Sequence, residues 1–158
     1  MSLVVVAIDG PAGSGKSTTA RAVADQLGLA HLDSGALYRA ITLAALDAGI
    51  PLTAEPVLGL ASMLPVRLEL VDQVFRPAIA GVDVSGRIRS DAVNRSVSEI
   101  AAMPAIRAWV NQALRSAAAR HPRGVVSDGR DIGSVVFPDA GLKIFLTEMN
   151  TISPFLES

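Results

Sequence analysis

Residues Gly10 to Ser17 read Gly-Pro-Ala-Gly-Ser-Gly-Lys-Ser: a glycine, four residues, then Gly-Lys-Ser. The run follows an apolar segment, Leu3 to Ile8, that reads as a buried strand. It precedes Ala20, Val23, Ala24 and Leu27, which are spaced as one face of a helix that stops at Gly28. A strand, a glycine loop and a helix in that order let backbone N–H groups curl around an anion. Glycine carries no side chain to block the approach, and the first helical turn adds unpaired donors and the positive end of its dipole. The spacing is that of a phosphate-cradling loop. Lys16 is then expected at the β- and γ-phosphates of a nucleotide, and the Ser17 hydroxyl on Mg²⁺. The alternative is a glycine-rich turn that happens to carry an exposed lysine.

The 158 residues are one domain's worth, so a single domain over 1–158 is expected, with enough chain to bury a core. The apolar stretches are short or interrupted by charge or glycine, too short to span a bilayer. Neither a basic region nor a small-residue cleavage site follows Met1-Ser2, so no export signal is read and a cytoplasmic location is expected. The lack of cysteine removes disulfides, thiolate zinc sites and cysteine nucleophiles together. With 14 basic and 15 acidic residues the net charge is −1, which gives no broad footprint for a nucleic-acid polymer or an anionic membrane. A small charged ligand is the expected partner.

After the first helix, Leu29 to Leu32 reads as a short strand whose polar end, Asp33-Ser34-Gly35, opens a helix running to about Ala48 and ending at Gly49. Thr53 is a candidate cap for a short helix with Val57, Leu60, Ala61 and Leu64 on one face. From Val66 the period changes to two: Val66, Leu68 and Leu70 alternate with Arg67 and Glu69, and Asp72-Gln73 supplies a turn. Residues 66–88 therefore read as a small antiparallel insert. Arg87 and Arg89 face solvent or ligand. Ser90 can cap a helix over Asp91 to Ala102, and Pro104 starts another with Ile106, Val110, Leu114 and Ala117 inward and Arg107 off that stripe. Trp109 reads as a packing residue, and His31 and His121, which lack metal-ligand spacing, as structural. Val125 to Ser127 is a buried strand ending in Asp128, the place from which a carboxylate approaches the Mg²⁺ of a phosphate-loop site, although an ordinary strand-end Asp looks the same. Gly129-Arg130-Asp131-Ile132-Gly133 then sets two glycines around a charged pair. That pair is either a surface ion pair or, at a strand's carboxyl end, a ligand contact. Leu142 to Leu146 gives one more strand.

Taken together, Asp9 to Ser17, Leu32-Asp-Ser-Gly-Ala-Leu-Tyr-Arg39, Gly81-Val-Asp-Val-Ser85, Ile88-Arg89, Asp128-Gly-Arg-Asp-Ile-Gly133 and Val135-Val-Phe-Pro-Asp139 closely resemble the bacterial cytidylate kinases, from about Val5 to Thr147. The resemblance implies an α/β, three-layer P-loop NTPase fold with a mainly parallel sheet, residues 66–88 forming the part that closes over the monophosphate. It implies phosphate transfer from ATP to CMP or dCMP with Mg²⁺, in a family expected to be monomeric. ATP would lie on Gly10, Pro11, Ala12, Gly13, Ser14, Gly15, Lys16, Ser17 and Thr18, and the metal on Ser17 and Asp128. Carried over by position, Ser34, Arg107 and Asp131 contact the cytosine, Ser98 lies near base and sugar, and Arg39 and Arg130 hold the acceptor phosphate. Lys16, Arg130 and Asp128 would carry the chemistry. The residue types suit that chemistry, since a guanidinium grips phosphate bidentately and an ionised Asp accepts from the cytosine amine that uracil lacks. Over 148–158 the chain departs from the family, which continues there through an arginine-rich lid and a last strand. A nucleotide-binding remnant impaired by the lack of that lid is therefore a rival reading. A kinase for another small metabolite is a third, and it rests on the phosphate loop alone.

Overall fold

The computed structural model describes residues 4–147. In chain order the elements are β1 (Val4–Asp9), α1 (Lys16–Leu27), β2 (Ala30–Asp33), α2 (Ser34–Ala48), α3 (Ala54–Met63), β3 (Val66–Val71), β4 (Val74–Ile79), β5 (Val82–Asp83), α4 (Asp91–Ala101), α5 (Pro104–Arg120), β6 (Gly124–Gly129), a π-helical turn (Ile132–Val136) and β7 (Leu142–Phe145). They fall into two compact units, one made of the chain up to Asp33 and from Ala118 onward, the other of Ser34–Ala117. The tail at 148–158, expected to depart from the family, lies outside the described residues.

In the first unit, β1 runs parallel between β6 and β7, and β6 runs parallel to β2. Val5 to Ile8 are all buried, as a strand at the centre of a parallel sheet requires when both faces are covered. Helix α1 lies on β1, β2 and β6, and Val6, Ile8, Ala20, Ala24, Leu29 and Val126 form the core between them. The chain leaves β1 for β2 on one side of the sheet and leaves β6 for β7 on the other. The segments after β1 and β6 therefore diverge at a topological switch point, where open α/β sheets bind ligands. Leu27, expected on the core face of α1, is 48% exposed at the last position of the helix.

The second unit is built on α2, which is buried over most of its circumference and packs on α3, α4, β3 and β4. Gly49 ends α2 with φ 65°. Its N–H donates to the Leu46 carbonyl and the Ile50 N–H to that of Ala45, closing the carbonyls the helix end leaves free. Ser90 caps α4 as expected, its Oγ accepting from the Val93 N–H at 3.3 Å. Thr53 stands at the start of α3 in extended conformation, but its side chain makes no capping bond. The insert is antiparallel as expected, β3 to β4 to β5, with Val71 opposite Val74 and Ile79 opposite Val82. Both connections are two-residue turns with positive φ throughout, Asp72-Gln73 and Ala80-Gly81, the geometry that matches strand twist. Two residues expected inward, Leu64 and Leu70, are 39% and 41% exposed, since they sit at the end of α3 and the tip of the hairpin, beyond the covering elements. The parallel sheet, the glycine loop and the antiparallel insert are those of the expected α/β P-loop NTPase fold.

Gly124 opens β6 with φ 133°, and a Cβ there would lie 1.9 Å from the Val4 carbonyl oxygen and under 3 Å from the Val4 nitrogen, both backbone atoms of the residue paired with it across to β1. Gly124→Ala should therefore displace the β1–β6 pairing and cost roughly 4 kcal/mol or more, in the range reserved for such clashes. Gly86, with no atom within 4 Å of a Cβ, should tolerate alanine within about 0.5 kcal/mol. Equal midpoints for the two variants in urea unfolding would contradict this.

Candidate functional site

The loop between β1 and α1 adopts left-handed conformations at Gly13 and Gly15, φ 79° and 84°. Left-handed glycines of this kind allow a loop to turn its N–H groups toward an anion. Ser14 N–H donates to the Pro11 carbonyl, and Lys16 Nζ donates to the same oxygen at 3.1 Å, which holds the ammonium at the mouth of the loop. The Ser14 hydroxyl is buried without a hydrogen-bond partner inside the loop. An orphaned hydroxyl there is what a loop built to receive phosphate oxygens would carry.

The parallel register places Ile8 beside Asp128 and Asp9 beside Gly129, so the loop and the end of β6 share one edge of the sheet. There the Ser17 hydroxyl donates to Asp128 Oδ2 at 2.9 Å, with Asp128 1% exposed. One hydroxyl and one carboxylate oxygen suit Mg²⁺, which takes one or two protein oxygens and fills its other positions with water and nucleotide phosphates. No cluster of three or more metal-ligating side chains occurs among the described residues, and none is needed for such a site.

Three further residues join this edge. Asp128 Oδ1 lies 2.6 Å from His31 Nε2, in a buried contact between β2 and β6. Asp9 accepts from the Ile132 N–H at 2.7 Å and from the Gly133 N–H at 2.9 Å, one bond to each carboxylate oxygen. It thereby anchors the π-helical turn that follows Arg130 and Asp131. Asp131 itself takes a left-handed conformation, φ 57°, which turns the chain into that helix. Lys143 on β7 lies with its stem against Gly133, and Arg130, Asp131 and Lys143 border a cleft of about 900 Å³ whose floor includes Gly10, Pro11 and Ala12. The cleft thus presents two cations to the phosphate loop. None of Asp9, His31 and Lys143 was marked as a site residue by the sequence. Lys143 alone had a local signal, its alternation with the inward-facing Ile144 and Leu146.

The remaining expected site residues lie in the second unit. Ser34 is buried at the first position of α2, and Ser98 is exposed on α4. Arg39 donates to Asn94 Oδ1 and to the Ile88 carbonyl, which fixes its guanidinium against α4. Arg107 donates to the Ala101 carbonyl and lies over the Tyr38 ring at 5.9 Å, so the ring face and a helix-end carbonyl both favour its charge. Arg87 pairs with Asp47 at 2.9 and 3.0 Å on the surface.

Asp9→Asn would keep one acceptor and aim an NH₂ group at a backbone N–H, leaving a donor unpaired at a cost of about 1–3 kcal/mol. Amide exchange at Ile132 and Gly133 should accelerate while that of the α2 core stays unchanged. Unaltered protection at both amides would show that the carboxylate does not hold the turn.

The family description Cytidylate kinase matches residues 6–152. The chain is 47% identical over 148 residues to the cytidylate kinase of Streptomyces griseus subsp. griseus, covering 92% of this chain and 64% of that protein. It is 50% identical over 143 residues to the cytidylate kinase of Desulfitobacterium hafniense, covering 90% and 60%. The value for the cytidylate kinase of Bordetella pertussis is 51% over 145 residues, covering 90% and 61%. The chain thus spans less than two thirds of the length of these curated relatives. A strand–glycine loop–helix leading to a Ser17–Asp128 pair, with a match of this extent, carries one conclusion: the chain belongs to the cytidylate kinase family.

Proposed function

We propose that the chain serves the ATP-dependent phosphorylation of CMP or dCMP to the diphosphate, within pyrimidine nucleotide metabolism in the cytoplasm. The observation that carries this reading is the Ser17–Asp128 contact at the mouth of the phosphate loop, where a metal–triphosphate can be held by backbone N–H groups and two oxygen ligands. Family membership supplies the acceptor class, since the relatives are cytidylate kinases. No described helix is long and apolar enough to cross a membrane.

In this reading Ser17 and Asp128 would hold Mg²⁺, which would supply charge to offset that of the nucleotide phosphates. Gly10 to Thr18 hold the phosphates of ATP through the loop amides and the start of α1. Lys16 leaves the Pro11 carbonyl for the phosphates, a short movement of a flexible ammonium, and Arg130 adds a planar charge at the cleft. Arg39 is the second arm for the acceptor phosphate. Ser34, Arg107 and Asp131 recognise cytosine, and Ser98 lies by base and sugar. Phosphoryl transfer asks for positioning and charge neutralisation rather than a protein nucleophile, and these residue types supply both.

Lys16→Ala should lower turnover by about 10²-fold or more, as for loss of a charge-stabilising donor, while the circular dichroism spectrum is retained. Coupled ADP release beside CMP calorimetry reads both: turnover within a few-fold of the parent would remove Lys16 from the phosphates, and CMP binding without parent turnover would mark a chain that binds but does not transfer. Asp131→Asn tests base choice. Asn accepts the left-handed backbone at this position as readily as Asp, so the change exchanges a pure acceptor for a mixed group without backbone strain. CMP should weaken relative to UMP by at least about tenfold, the worth of one good charged hydrogen bond. An unchanged CMP:UMP ratio would leave Asp131 outside base recognition.

A further inference from the structure

Asp128 is a buried carboxylate, and each of its two oxygens accepts a separate hydrogen bond. Oδ2 accepts from Ser17, and Oδ1 lies 2.6 Å from His31 Nε2, with both side chains almost fully buried. Because a carboxylate accepts, the Nε2 proton lies between the two groups. The geometry behind this contact is the β2–β6 ladder, in which His31 stands beside Val126 and Asp33 beside Asp128, so the imidazole reaches two residues along β6. We infer that His31 is a positioning residue for the metal-binding carboxylate: by occupying Oδ1 it fixes the rotation of the Asp128 carboxyl group and keeps Oδ2 turned to Ser17 and the phosphate loop.

The physical reason lies in the torsion of the carboxyl group, whose energy well is broad, so packing alone does not set its plane. A hydrogen bond from a rigid ring seated in a strand sets it, at little cost in entropy, since imidazole has two side-chain torsions and both are buried. Outer partners of this kind hold metal-ligating carboxylates in place, and their removal typically costs ten- to a hundredfold in metal affinity. The inference rests on reading Ser17 and Asp128 as the metal ligands, and the test separates the two claims.

Mn²⁺ affinity, read by electron paramagnetic resonance on the chain saturated with ADP, is compared for the parent, His31→Phe, His31→Gln and Asp128→Asn, with CMP affinity measured in metal-free buffer alongside. The expected result is Mn²⁺ weakened about ten- to a hundredfold in His31→Phe with CMP affinity unchanged, most of it restored in His31→Gln, whose amide reaches the same oxygen. If Asp128→Asn weakens Mn²⁺ while His31→Phe stays within about twofold of the parent, the inference fails and the metal reading stands. If His31→Phe and His31→Gln lose Mn²⁺ affinity equally, His31 acts by packing and the inference also fails. An Asp128→Asn variant with parent affinity overturns the metal reading and the inference with it. Should His31→Phe not fold, His31→Asn takes its place: its amide is one methylene too short, so Gln should bind Mn²⁺ at least about tenfold tighter than Asn, and equal affinities would overturn the proposal.

Discussion

The parallel pairing of β1 with β6 is the constraint on which the rest of the first unit depends. It sets Ile8 beside Asp128 and Asp9 beside Gly129, and the strands stop together. From that shared edge one chain segment turns into the glycine loop and the other into the Arg130–Asp131 turn. A slip of one residue would swap every side chain between faces and carry Asp128 away from Ser17. Gly124 guards the other end of the same ladder, where any Cβ would strike the backbone of β1.

Two carboxylates convert that register into a site. Asp9 uses its two oxygens on the amides that open the π-helical turn, and Asp128 divides its own between Ser17 and His31. Buried or half-buried carboxylates are costly unless their lone pairs are met, and both of these meet them with donors from distant segments. The polar groups therefore tie the loop, the β6 edge and the turn into one piece. Donors held in place in this way need not reorganise when a charge meets them.

The second unit uses simpler means. Helix α2 collects the hairpin and two helices around a face of Ala, Leu and Ile, and carbonyl oxygens, an asparagine and a tyrosine ring hold the guanidinium groups of Arg39 and Arg107.

Features encoded by near neighbours in the chain were legible before any fold was known. The glycine loop between strand and helix, the helix ends at Gly28 and Gly49, the Ser90 cap and the antiparallel insert all depend on residues within a few positions of one another, and they stand where the spacing put them. The Gly-x₄-Gly-Lys-Ser run and the Asp-Gly-Arg-Asp-Ile-Gly run were equally legible as phosphate chemistry and as family. Which acid meets which donor depends instead on how distant segments assemble. Ser17 and Asp128 are 111 residues apart, His31 and Asp128 97, and Asp9 and Ile132 123, so no local pattern relates them. His31 read as a structural histidine because its partner lies on a strand that becomes its neighbour only when β2 pairs with β6. Leu27, Leu64 and Leu70, all expected inward, are exposed at the ends of their elements: periodicity fixes the direction in which a side chain points, while the surrounding elements fix whether anything is there to cover it.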